Sequence, residues 1–293
     1  NRCRAEQALW CAEAGANLAL AILRKADPTL DDRSLAFIRG QLHIPVGDGF
    51  CTATVADEAA RINLNSLRDP HGNLDRPRIE MLLRLIDLLN DLRTPASPIG
   101  YGIVPAIIDY TDPDDDPTHL DFVERENEGA EAAFYASLSP PRTCRNRPLD
   151  AVDNLLLVRG VTRDILDGPP FDSPPAAAPA GLREFVTVFG DGRIDINSAP
   201  LLVIRSLSDR IDEPLAQAII DHRPFARIDD LASLPGITPD ILDRIARLAT
   251  VERADRYYRI RAEGRIDDLT RAVTLTVLRN PDGQIAVLSR EES

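Results

Sequence analysis

Strand signals in this chain stand at its two extremities, and helical signals fill most of what lies between. Near the start, Phe50 to Ala56 reads as extended, and Arg61-Ile62-Asn63-Leu64-Asn65 alternates polar and apolar residues. In the last forty residues, Tyr258, Ile260 and Ala262 alternate with Arg259 and Arg261, and Val273, Leu275 and Val277 alternate with Thr274 and Thr276. Asn280-Pro281-Asp282-Gly283 fits a type I turn, with Ile285 and Val287 as a closing strand. Strands at both ends with helices between them fit an α+β chain.

The first stretch, residues 3–26, is rich in Ala and Leu and ends at Asp27-Pro28. Leu9, Ala12, Ala16, Ala19, Leu20 and Leu23 form one helical stripe. A second short helix is expected over 31–40. A strong one begins after Asp75, with Pro77 in its first turn and Ile79, Leu82, Leu83, Ile86 and Leu89 at helical spacing. Another apolar stretch covers 104–110. The proline-rich segment 168–181 is expected as a loop, and residues 184–197 as a hairpin about Gly190-Asp191-Gly192.

The middle of the chain repeats itself in order. Arg61-Ile62-Asn63-Leu64-Asn65-Ser66 matches Arg193-Ile194-Asp195-Ile196-Asn197-Ser198, and Ala106-Ile107-Ile108-Asp109 matches Ala218-Ile219-Ile220-Asp221. The run from Asp153 through Gly160-Val161-Thr162 to Leu166 matches that from Asp229 through Gly236-Ile237-Thr238 to Leu242. Two related helical units are expected, over about 66–167 and 193–249. In the last match a glycine turn precedes a threonine cap, on Thr162 or Thr238, which is a helix-hairpin-helix pattern. Such hairpins can hold DNA phosphates, but residues 226–248 carry three arginines against four aspartates. The whole chain has 34 Lys and Arg against 47 Asp and Glu, a net charge of −13, which disfavours a nucleic-acid partner.

Chemistry is poorly represented. Lys25 is the single lysine, which argues against a P-loop or a Schiff base, and the four histidines share no spacing. No Gly-x-Ser-x-Gly or His-Glu-x-x-His run occurs, so the chain is not expected to be an enzyme. Cys3, Cys11, Cys51 and Cys144 contain no Cys-x-x-Cys pair. Cys3 and Cys11 are about 12 Å apart on a helix rising 1.5 Å per residue, so they do not bond each other. Whether Cys51 joins Cys144 or all four stay free is left open. No run of eighteen apolar residues is present. The start Asn-Arg-Cys, without Met, suggests a segment cut away upstream.

One loop stands out. Asp109, Asp112, Asp114, Asp115, Asp116 and Asp121 fall within thirteen residues free of Lys and Arg. Like charges at this density face water or share a cation. Asp112-x-Asp114-x-Asp116 opens like an EF-hand loop but departs at Pro117 and Val123, where glycine and glutamate are needed. A looser calcium loop, closed by a distant carboxylate such as Glu131, and a solvated acidic turn both fit the pattern.

Several elements, in order, resemble the type II secretion system protein K family of minor pseudopilins. They are Asp57-Glu58-Ala59-Ala60-Arg61-Ile62-Asn63-Leu64-Asn65, Ile108-Asp109-Tyr110-Thr111-Asp112-Pro113-Asp114-Asp115, Gly129-Ala130-Glu131 with Tyr135, Asn146-x-Pro148-Leu149, Ile196-Asn197-Ser198-Ala199-Pro200 and Val277-Leu278-Arg279. Ala60 replaces a family glycine and Tyr110 a family tryptophan; Pro113 is a further departure. The resemblance implies a pilin-like fold, a long N-terminal helix on a small antiparallel sheet, formed by residues 1–65 and 250–293. Residues 66–249 would be the inserted helical domain with helix-hairpin-helix, SAM-like repeats. It implies a non-enzymatic subunit capping the tip of a periplasmic pseudopilus, with the minor pseudopilins I, J and H as partners and exported proteins as further contacts. An inner-membrane anchor helix would precede this chain. It also implies calcium, with Asp112, Asp114 and Glu131 as first ligands and Asp116 as second choice. A helix-hairpin-helix DNA-binding protein and a calcium-dependent cargo-binding module are the competing readings.

Overall fold

The computed structural model describes residues 2–25, 42–93, 98–168, 181–251 and 256–293. The helix expected over 31–40 and most of the proline-rich loop lie outside the described residues. The chain forms two compact units: Asn1–Glu58 with Arg253–Ser293, and Ala59–Glu252.

In the first unit, helix α1 (Arg2–Lys25) lies on a five-stranded antiparallel sheet. Its strands are β1 (Leu42–Val46), β2 (Gly49–Asp57), β7 (Arg256–Ile266), β8 (Leu269–Arg279) and β9 (Ile285–Glu292), hydrogen-bonded in that order. The helical stripe is the buried face: Ala12, Ala16, Ala19, Leu20 and Leu23 pack on Val55, Tyr258, Ile260, Val273, Leu275 and Val277. Small residues let the helix come close. A Cβ on Gly264 of β7 would run into the Ala8 carbonyl and the Ala12 nitrogen, and one on Gly15 would run into Cys51 Sγ. The sequence places glycine at both crossing points, where any side chain would push helix and strand apart.

Strands β2 and β7 are neighbours although almost two hundred residues separate them, and Asp57 stands opposite Tyr258. At this junction Glu58 is fully buried and is clasped by Arg259, with Nε–Oε1 at 2.8 Å and Nη2–Oε2 at 3.1 Å. The fork matches the carboxylate bidentately and so satisfies a charge that burial would otherwise penalise. At the far end of the sheet the Gly283 N–H donates to the Asn280 carbonyl at 3.0 Å, closing the turn that leads into β9.

The second unit has a core drawn from short helices. They are α2 (Arg76–Leu92), α3 (Ile103–Thr111), α4 (Ala132–Ala136), α5 (Arg163–Asp167), α6 (Leu201–Ser206), α7 (Glu213–Asp221) and α8 (Pro239–Leu248). Asp75 caps α2 by accepting the Arg78 N–H at 3.1 Å, and Pro77 fits the first turn, where a missing N–H costs nothing. Ile79, Leu82, Leu83, Ile86 and Leu89 of α2 are all buried.

Two expectations are corrected here. Residues 59–65 belong to this unit, because β3 (Ile62–Asn63) pairs with β4 (Val186–Thr187) and not with the terminal sheet. The hairpin expected over 184–197 is absent as well. Val186–Thr187 pairs in parallel with Ile62–Asn63, and β5 (Ile194–Asp195) pairs in parallel with β6 (Ala249–Thr250). The asparagines explain the choice. Asn65 Nδ2 donates to the Val188 carbonyl at 2.9 Å and to that of Leu149 at 3.0 Å, while its Oδ1 accepts the Leu149 N–H at 2.8 Å. Asn63 Nδ2 takes the Gly190 carbonyl at 2.8 Å. These side chains occupy carbonyls of the supposed hairpin and tie them to the segment at 63–65. Asn197 does the same work further on, exchanging both bonds with Phe225 at 3.0 and 2.9 Å.

Each glycine turn of the repeated pattern has positive φ, 82° at Gly160 and 96° at Gly236. Each links a short 3-10 helix (Val152–Leu157, Ile228–Ser233) to the following helix, α5 or α8. Thr162 Oγ1 accepts the Ile165 N–H at 3.3 Å, whereas the Thr238 side chain makes no cap, and Pro239 begins that helix instead.

Candidate metal centre

Helix α3 is apolar and almost wholly buried, and it carries Asp109 inward with it. Asp112 follows three residues later, one helical turn along the same face, and closes the helix through its own N–H to the Ile108 carbonyl at 3.0 Å. The chain then loops through 113–130 and returns to the same place. Its return is fixed by the backbone: Leu120 N–H to Asn127 O at 2.9 Å, Gly129 N–H to Thr118 O at 2.8 Å, and Thr118 N–H to Asp109 Oδ1 at 2.9 Å. Glu131, the residue before α4, is delivered opposite the two aspartates.

One oxygen from each of Asp109, Asp112 and Glu131 lies within 4.8 Å of the others. The three residues are 0%, 3% and 4% exposed. Four of their buried oxygens, Asp109 Oδ2, Asp112 Oδ1 and both of Glu131, accept no well-formed hydrogen bond, although the Ala130 and Ala132 N–H groups lie near Asp109 and Glu131. Ionised carboxylates left bare in a protein interior are costly, and three together are more so. Burial raises all three pKa values. Asp112 is pushed up to about 6, with Arg68 opposing, and Glu131 is pushed up to about 7, where the charges of Asp109 and Asp112 add to burial. Asp109 moves in the same direction, chiefly by burial. Convergent bare oxygens of this kind suit a hard divalent cation, and irregular spacing over a long loop suits calcium better than magnesium.

The expected ligands divide. Asp112 and Glu131 are brought together. Asp114 and Asp116 are exposed and stand outside the cluster. Asp114 Oδ1 accepts the Asp116 N–H at 3.0 Å, and its carbonyl accepts Asn146 Nδ2 at 2.9 Å, so this part of the loop is turned on itself in solvent. Asp109 takes their place. Its spacing from Asp112, where the apolar stretch 104–110 runs into the acid loop, carries that information, since i and i+3 share a face of a helix. Cys144 stands beside the cluster, with Sγ 3.7 Å from the Asp109 carbonyl, and burial pushes its thiol up to about 11. All four cysteines are free thiols.

Two family models match the chain, over residues 60–168 and 194–251, and both describe protein K of the type II secretion system. The chain belongs to the type II secretion system protein K family. The three-carboxylate cluster falls inside the first matched span. Across protein K sequences, the Aeromonas hydrophila type II secretion system protein K is 25% identical over 300 residues, 97% of this chain and 84% of that protein. The fold is similar to a chain in the crystal structure of the GspK-GspI-GspJ complex from the enterotoxigenic Escherichia coli type 2 secretion system. The TM-score is 0.70 at 20% identity, covering 98% of this chain and 96% of that one.

Proposed function

We propose that this protein is a non-enzymatic minor pseudopilin that caps the tip of a periplasmic pseudopilus and takes part in protein export. The supporting observation is the first unit. A long helix covers a small antiparallel sheet with one face and leaves apolar residues on the other, Trp10 at 66% exposed and Leu18 at 40%. An amphipathic helix with a free apolar face packs against partner helices as in a bundle. The partners are the I and J pseudopilins, by analogy with the complex that contains the chain of similar fold; H is proposed as a further neighbour. No described helix is long and apolar enough to cross a membrane.

The second unit supplies bulk at the tip. Its two glycine turns are helix-hairpin-helix elements of related units used for packing, with Leu155, Ile165, Leu231 and Ile241 in the core. Calcium bound by Asp109, Asp112 and Glu131 cross-links the end of α3 to the start of α4 and rigidifies that unit. Mixing the chain with the soluble domains of the I and J pseudopilins, then size-exclusion chromatography, tests the assembly. A stoichiometric ternary peak is expected. Separate elution at micromolar concentrations, or unchanged elution of Trp10→Ala in a complex that does form, would remove the proposed role of the helix face.

A further inference from the structure

The cluster of three carboxylates contains a cation of its own. Arg68 Nη2 is bonded to Asp112 Oδ2 and lies 3.2 Å from Thr118 Oγ1, while Nη1 donates to the Gly72 carbonyl at 2.7 Å. Gly72 lies in the turn closed by the Arg68–Leu74 bridge, so the guanidinium is held from behind by its own segment and presented to the aspartate. Among the described residues it is the one guanidinium hydrogen-bonded to any of the three carboxylates. It takes one oxygen of Asp112 and leaves the other, Oδ1, buried and without a hydrogen bond.

We infer that Arg68 is a specificity-determining residue that sets the charge of the cluster for a single divalent ion and against trivalent ions. This rests on the calcium reading given above. Three carboxylates and one guanidinium carry −3 + 1 = −2. A buried site is most stable when ion and ligands sum to zero, because uncompensated charge in low dielectric is penalised steeply. With Arg68 in place the ion that balances the cluster has charge +2. Without it the balancing charge becomes +3. Lysine at this position would keep the charge and lose the fork; glutamine would keep a donor and lose the charge.

The experiment titrates the full chain with calcium and, separately, with terbium, and compares the ratio of the two affinities in wild type, Arg68→Gln and Arg68→Lys. Arg68→Gln is expected to raise the terbium-over-calcium ratio at least tenfold, and Arg68→Lys to leave it within about threefold of wild type. A residue that only holds the loop in shape would weaken both ions alike and leave the ratio unmoved, and that result would overturn the inference while sparing the calcium site. Arg68→Lys behaving as Arg68→Gln would overturn it too. Wild type that binds neither ion removes the calcium reading and this inference with it. Should Arg68→Gln fold only with metal present, the ratio is read by displacing calcium from the loaded variant with terbium.

Discussion

A Cβ on Gly129 would fall on the carboxylate of Asp109. Asp109 cannot step aside, because it is fully buried and its Oδ1 holds the Thr118 N–H at 2.9 Å. Gly129→Ala is therefore expected to cost about 1–3 kcal/mol as an overpacked interior position. It should also abolish the rise in melting temperature on adding calcium. Thermal melts with chelator and with calcium read both effects. A variant that keeps the full calcium-dependent rise would show that Asp109 is not a ligand.

Neutralising one carboxylate separates the cluster from the rest of the acid loop. Glu131→Gln removes a buried, bare charge, so the chelated protein should become more stable while its response to calcium is lost. Asp114→Asn and Asp116→Asn alter exposed groups and should leave that response intact. For wild type, calcium at a hundred times its dissociation constant should add about 2.7 kcal/mol by mass action. Loss of the response in Asp114→Asn would move the site outward into the loop.

Acidity should act on the metal-free protein in an unusual direction. Glu131 is raised from 4.5 to about 7 and Asp112 from 3.8 to about 6, so between these limits the folded state binds more protons than the unfolded chain. Stability from these groups is full below pH 4 and is lost as pH rises toward 7. Calcium competes with the same protons, so its affinity should climb over the same range. Melting temperature against pH, with chelator, should fall across this window in wild type and fall less in Glu131→Gln. Equal slopes in the two proteins would contradict the assignment of Glu131.

At the other end of the chain, Gly264→Ala should separate α1 from β7. The new Cβ meets backbone atoms of Ala8 and Ala12, which no rotamer change relieves. A loss of about 3 kcal/mol is expected in the unfolding of the first unit, at the upper end for inserting a methyl group into a packed interior. Circular dichroism melts of this variant beside Ala262→Gly, which opens space instead of filling it, distinguish a clash from a general weakness of the strand. If Gly264→Ala melts with wild type, the helix sits further from the sheet than described.

Much of this was legible because period reports burial directly. The stripe from Ala12 to Leu23 and the alternation from Tyr258 to Val277 each became a buried face. The Asp112 and Glu131 pairing was legible through the carboxylate spacing and the family resemblance. What stayed hidden was partner choice. Val186–Thr187 and Ile194–Asp195 look like the arms of one hairpin, yet each pairs with a segment more than fifty residues away, directed by asparagine side chains whose targets lie elsewhere in the chain. Asp114 and Asp116 lie outside the carboxylate cluster for a related reason. Residue type gives the charge, but whether a loop carboxylate points inward depends on bonds to the loop backbone such as that from Asn146 Nδ2 to the Asp114 carbonyl.

The opposition of Asp57 and Tyr258 has an architectural consequence. The intervening segment leaves and re-enters the sheet at adjacent rungs, so topologically it is an enlarged connection between two antiparallel neighbours. Closing such a connection grows dearer only with the logarithm of its length. The segment between Asp57 and Tyr258 can therefore change in length with every strand pairing of this sheet kept.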